Sequence, residues 1–195
     1  MCPLSSSERL TLLEVARQAV MLAVQERRVF EPYAQNGTLG SPAGAFVTLR
    51  QGKRLRGCIG QIEPREPLVN VVARCAMSAA IADPRFEAIR ESDLEALDIE
   101  ISVLSTLEPI MPGGIVIGKH GLLITRGPQR GVLLPQVAEE YSWTVERFLE
   151  ETCAKAGLHH EAWRDAGTRI NAFTAEIFST REFDQPVEPA PQSSD

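Results

Sequence analysis

Residues Lys53 to Pro64 read KRLRGCIGQIEP, placing Cys58 between two glycine-bearing steps with Lys53, Arg54 and Arg56 just ahead of it. A thiol acts as a nucleophile or a ligand in its thiolate form, and a neighbouring guanidinium favours that form. Read as a strand, the stretch puts Arg56, Cys58 and Gly60 on one face and Leu55, Gly57 and Ile59 on the other. The glycines allow close approach of a ligand or a second backbone. A nucleophilic cysteine usually works with a base. Of the three histidines, His120 lies between two glycine-bearing turns and is the candidate, while His159 and His160 read as solvated. The alternative stands beside this: free cysteine is often a small buried hydrophobe, and Cys58 fits that role too.

Other residue sets are weaker. Glu100 and Ser102 share one strand face, as do Thr174 and Glu176, and the carboxylates would suit acid–base work if those strands were neighbours. A solvated sheet face is the reading the pattern favours. GGIVIGKHG lacks the Lys-Ser/Thr ending and following helix of a phosphate loop, which rejects a nucleotide site. DPRF (Asp83 to Phe86) reads as a turn stabilised by opposite charges. Cys75 and Cys153 fall on or beside apolar helix surface. With no CxxC pair, the four cysteines suggest reduced thiols in the cytoplasm, with no metal site and no cofactor evident.

The elements that must position these residues can be read along the chain. SSSERLTLLEVARQAVMLAVQERR is an amphipathic helix with a Ser5–Glu8 capping box and a stripe of Leu10, Leu13, Val20 and Val24. Two strands, 45–50 and 55–62, follow as a hairpin. Pro67 opens an apolar helix that DPRF stops. Ser92 with Glu95 suggests a second capping box, and LDIEISVLS alternates as a half-buried strand. GGIVIGKHGLLITRGPQRGVLLPQ holds three short strand-like runs between glycine turns. Thr144 caps a helix, with Trp143 and Phe148 as a hydrophobic staple, and Gly157 ends it. TRINAFTAEIFS is one more strand, and the tail DQPVEPAPQSSD reads as disordered.

This mixture predicts an α+β fold of two subdomains, each with a mainly antiparallel sheet flanked by helices, separated by a cleft. The Pro109–Gly114 cluster sets the boundary: a larger subdomain of 1–108 and 164–184, a smaller one of 109–163, and a disordered acidic tail of 185–195. At 195 residues the chain is long enough to bury a core unaided. No apolar run reaches the ~18–20 residues of a membrane span, and the N-terminus lacks a signal-peptide pattern. A net charge of −6 argues against a dedicated nucleic-acid binder.

Taken together, LRGCIG (Leu55 to Gly60), DPRF, His120-Gly121, LLPQVA (Leu133 to Ala138) and Trp143 resemble the AmmeMemoRadiSam system protein A family, in the same order. Its domain is named after the Alport syndrome, mental retardation, midface hypoplasia and elliptocytosis chromosomal region. The resemblance spans roughly Leu10 to Ser179. It implies two subdomains with the hexapeptide facing the cleft, so that Leu55, Arg56, Gly57, Cys58, Ile59, Gly60, Glu100 and Gly121 would line a ligand site. It also implies a Memo-like protein and a radical S-adenosylmethionine enzyme as partners. It implies no settled reaction. One expectation is a modification-system component whose cleft takes a protein or small molecule, with Cys58, Arg56 and His120 doing chemistry. Its rivals are a non-catalytic adaptor and, less favoured by charge, a nucleic-acid-modifying protein.

Overall fold

The computed structural model describes residues 3–33 and 35–183. Cys2 and the tail expected to be disordered lie outside them. The first half of the chain forms α1 (Ser6–Gln25), a single turn α2 (Gly37–Gly40), β1 (Ala45–Gln51), β2 (Arg54–Gln61), α3 (Leu68–Ile81) and β3 (Leu97–Leu104). The second half forms β4 (Glu108–Pro109), β5 (Gly121–Arg126), β6 (Gln129–Leu133), α4 (Pro135–Glu140), α5 (Val145–Lys155), β7 (Arg169–Phe173), β8 (Ala175–Ser179) and α6 (Thr180–Phe183). The strands make two four-stranded antiparallel sheets, ordered β2-β1-β3-β8 and β4-β7-β5-β6. This is the α+β fold the sequence predicts. Among the described residues, no helix is long and apolar enough to cross a membrane.

The described residues divide into two compact units, one made of residues 3–102 and 177–183, the other Val103–Glu176. The smaller unit is therefore wider than the expected 109–163. The reason is a switch of sheets inside TRINAFTAEIFS, which is two strands rather than one. β7 pairs with β5 and β4 in the smaller sheet, whereas β8 joins β3 in the larger. At the switch, Thr174 donates its N–H to the Ser105 hydroxyl at 2.9 Å, and Ser105 donates its N–H to the Thr174 carbonyl at 2.9 Å.

In the larger unit, α1 begins at the expected capping box. The Ser5 N–H donates to the Glu8 carboxylate at 2.8 Å, and the Glu8 N–H donates to the Ser5 hydroxyl at 3.3 Å. Leu12, Leu13, Ala16, Ala19 and Val20 form its buried stripe, while Leu10 is turned outward and exposed. α1 packs on α3, and α3 packs on β1 and β2. Ala79 of α3 meets β2 at close range. Gly57 completes that approach, because a Cβ there would lie 2.0 Å from the Ala79 carbonyl oxygen. The second predicted cap is displaced by two residues: Asp93, not Glu95, accepts an N–H at 3.1 Å, and the donor is Arg90, not Ser92.

In the smaller unit, Leu122, Ile124 and Ala172 of the sheet pack against Phe148, Leu149 and Cys153 of α5. Trp143 packs against this cluster ahead of the Thr144 cap, as the staple pattern requires. The Ile115–Ile117 run is not a third strand. Pro112–Gly114 winds into a 3-10 turn and Gly118 takes φ +79, so the run is spent in turns leading to His120.

The close approach at Gly57 gives a direct test. Gly57→Ala forces backbone apart and should cost about 2 kcal/mol, lowering Tm by about 4–8 °C. Gly52 occupies open space at φ +61, so Gly52→Ala should cost only about 1 kcal/mol of backbone strain. Thermal unfolding with Gly57→Ala at or above the Gly52→Ala midpoint would contradict the packing.

Candidate functional site

β2 is the edge strand of the larger sheet, paired only with β1. Cys58 stands opposite Thr48. In an antiparallel pair, alternate residues aim their N–H and C=O away from the partner strand. At a sheet edge those groups have no ladder partner. For Cys58, two side chains take the place of the missing strand. The Cys58 N–H donates to Asp83 Oδ2 at 2.9 Å, and Arg85 Nη2 donates to the Cys58 carbonyl at 2.6 Å. Arg85 also grips Asp83 in a fork, Nε to Oδ1 at 2.9 Å and Nη2 to Oδ2 at 2.8 Å.

This clamp fixes the charge of its members. The Asp83 side chain is 1% exposed. Its hydrogen bonds from Arg85, aided by the Cys58 N–H and opposed by burial, hold its pKa down at about 2. Arg85 is held above its ordinary value, first by Asp83, with burial opposing and the Cys58 thiol contributing. The thiol itself is half-buried and accepts from the Thr48 hydroxyl at 3.3 Å. Cys58 is thus neither buried among aliphatic side chains nor freely solvated.

The guanidinium beside Cys58 is therefore Arg85, where the sequence suggests Arg56. Register explains this. Leu49 pairs with Gly57 but Arg50 pairs with Leu55, so Arg56 is the extra residue of a β-bulge. Its side chain is buried and donates to Gln51 Oε1 at 2.8 Å and to Asp93 Oδ2 at 3.1 Å. Arg56 ties the β1–β2 hairpin to the turn at Glu91–Ala96. Gly60 has a packing reason as well, since a Cβ there would lie 2.1 Å from the Phe46 ring. Leu55 and Ile59 are half-buried strand residues of the same segment.

His120 and Gly121 belong to the smaller unit. His120 Nδ1 accepts the Val116 N–H at 3.1 Å, which fixes the neutral tautomer with its proton on Nε2. Burial, and then the Lys119 charge, hold its pKa below the ordinary value. In that state Nε2 donates and does not accept. The ring lines a pocket of about 430 Å³ with Ser105, Glu108, Lys119 and Thr174. Gly121 is a packing glycine, as a Cβ would lie 2.4 Å from the Phe173 ring. Glu100 is half-buried on β3 and contributes to holding Arg181 charged, behind the larger effect of Asp98. β3 and β8 are indeed neighbours in the sheet. No group of three His, Cys, Asp or Glu side chains among the described residues is arranged to hold a metal ion.

Asp83 is the residue whose role the sequence left hidden. DPRF stands out as a charged turn, but its bonds reach back 25 residues to Cys58, and local pattern carries no sign of that.

The AMMECR1 family model matches residues 13–178, most of the chain and all of the clamp. The chain belongs to the AMMECR1 family. A protein of Methanothermobacter thermautotrophicus is 40% identical over 184 residues, covering 90% of this chain and 96% of the relative. A protein of Thermococcus kodakarensis is 42% identical over 179 residues, covering 86% of this chain and 87% of its own. The crystal structure of an uncharacterised protein from Pyrococcus horikoshii superposes with a TM-score of 0.81 at 38% identity, covering 86% of this chain and 89% of that one. In this family member, Cys58 of the hexapeptide is thus a clamped edge-strand residue.

The Asp83 carboxyl makes a pH prediction. Its pKa is about 2 in the fold and ~3.9 in an unfolded chain, a difference of about 3 kcal/mol. Because the folded value is depressed, this stability is fully present above about pH 4 and is lost as pH falls through 2. Denaturant melts of Asp83→Asn should show a loss of about 3 kcal/mol at pH 7 that shrinks towards pH 2. Wild-type and variant curves that stay parallel from pH 7 to pH 2 would contradict it.

Proposed function

We propose that the protein is the substrate- or partner-binding component of a modification system, and that the Cys58 segment of β2 is its contact surface for a polypeptide. The observation that carries this reading is the clamp. Cys58 has its main chain held on both sides while its thiol is left half-exposed. Holding one residue this firmly at a sheet edge is preorganisation, which lowers the ordering cost of binding. The partners of the Cys58 side chain and backbone are Thr48, Asp83 and Arg85. None is placed as a proton acceptor for the thiol: Thr48 donates to it, Arg85 is cationic, and Asp83 is committed to Arg85 and the Cys58 N–H. All three histidines fall in the Val103–Glu176 unit. The net charge of −6 favours polypeptide over nucleic acid. The resemblance supplies the partner class, a Memo-like protein acting with a radical S-adenosylmethionine enzyme.

A second reading, in which Cys58 acts chemically, is favoured by its half-exposed thiol beside the Arg85 guanidinium. Calorimetric titration with the Memo-like protein of the same organism separates the two. Under the binding reading, Cys58→Trp weakens the complex at least tenfold, about 1.4 kcal/mol, while Cys58→Ser changes it little. Under the chemical reading, Cys58→Ser binds normally but abolishes turnover of the reconstituted system. Unchanged affinity in Cys58→Trp would sink the binding role.

Access to the thiols gives a further expected outcome. Burial pushes Cys75 up to about 11, and burial also raises Cys153. Brief iodoacetamide treatment at pH 8, followed by peptide mapping, should label Cys58 well before either. Equal labelling of Cys58 and Cys75 in the folded protein would contradict the placement.

A further inference from the structure

The smaller sheet carries a set of groups that the Cys58 site does not use. Along β5 and β7, Leu122, Ile124, Ile170 and Ala172 turn towards the cluster under α5. The alternate residues, Leu123, Thr125, Arg169 and Asn171, line a cavity of about 830 Å³. Its volume lies within the ~300–1,000 Å³ typical of small-molecule sites. Strand register puts Leu123 opposite Asn171 and Thr125 opposite Arg169, so the four side chains share one face. Leu107, Ile110 and Met111 supply an apolar wall. Met111 is 78% exposed, an unusual position for so apolar a side chain.

The polar groups of this cavity leave one charge uncompensated. Two charged side chains line it, Asp165 and Arg169. Asp165 is already held by Arg126 at 2.6 Å and by His159 at 3.1 Å. The Arg169 side chain has no ion pair or hydrogen bond with any described residue, so the charge left uncompensated is a single cation. Beside it, Trp163 Nε1 and Thr168 Oγ1 belong to lining residues and are buried without a hydrogen-bond partner. Each such orphan costs about 1–3 kcal/mol, a cost that an acceptor arriving in the cavity relieves. One guanidinium flanked by an amide matches the two oxygens of one carboxylate. The chain's net charge of −6 disfavours a polyanion.

We propose that this cavity binds a small amphipathic carboxylate, its acid group on Arg169 and Asn171 and its apolar part against Leu107, Ile110 and Met111. The site lies wholly within the Val103–Glu176 unit and is independent of the Cys58 reading. Sodium octanoate is a suitable probe, titrated into the ¹⁵N-labelled full chain and followed by two-dimensional amide spectra. The indole N–H of Trp163 and the amides of Arg169 and Asn171 should shift saturably, while the Trp143 indole stays still. Arg169→Gln, at an exposed position, should fold normally and weaken octanoate at least tenfold, with Arg169→Lys recovering part of the loss. Methyl octanoate, which keeps the tail and loses the charge, should bind at least tenfold more weakly. The proposal is overturned if no saturable shift occurs at these residues by about 10 mM octanoate, well past a 1 mM dissociation constant. It is equally overturned if Arg169→Gln or the methyl ester binds as tightly as the original pair.

Discussion

A sheet edge must have its outward backbone groups satisfied, and at Cys58 that constraint is met by one buried carboxylate. Asp83 accepts the Cys58 N–H and aligns Arg85, which then reaches the Cys58 carbonyl. Protection against edge-to-edge pairing alone would be served by a charge or a proline on the strand. Burying an aspartate costs several kcal/mol unless its pairing is close to ideal. The fork from Arg85, together with the main-chain N–H, supplies that pairing. The outcome is a residue fixed in position with its side chain left available.

The rest of the larger unit follows from placing that residue. α3 presses on β2 because Gly57 leaves no side-chain volume between the strand and the Ala79 backbone. The end of α3 delivers Asp83 directly to the level of Cys58. The bulge at Arg56 bends β2 and diverts a second guanidinium to Asp93, which in turn closes the turn starting at Arg90. At the tip of the same hairpin, Arg181 of α6 is paired with Asp98 and donates to the Gly52 carbonyl at 2.8 Å. The hexapeptide's glycines are thus accounted for by packing, which leaves Cys58 as its one half-exposed polar side chain.

Elements with complete local signals were legible in the sequence. α1 could be read because Ser5 and Glu8 satisfy each other within one turn, and α5 because Trp143, Thr144 and Gly157 mark both of its ends. β1, β2 and β3 showed in their period-two alternation. What failed depends on contacts remote in sequence. A bulge changes neither composition nor alternation enough to be seen, so Arg56 was read as Cys58's neighbour. The change of sheet at Thr174 is set by Ser105, far away in the chain, so TRINAFTAEIFS read as one strand. DPRF was visible as a motif, but its purpose was not, because Asp83 finds its partner 25 residues back. Leu10, apolar and on phase, is exposed because the stripe that meets α3 is centred on Ala16 and Ala19 instead.

The central claim is that Asp83 and Arg85 replace a neighbouring strand at Cys58, and amide hydrogen exchange at that residue tests it most directly. The Cys58 N–H of the native protein should exchange as slowly as the ladder-bonded amides of β2, and at least tenfold faster in Asp83→Ala, with other β2 amides little changed. A native Cys58 amide that exchanges at the rate of an open strand edge would show that no such replacement exists.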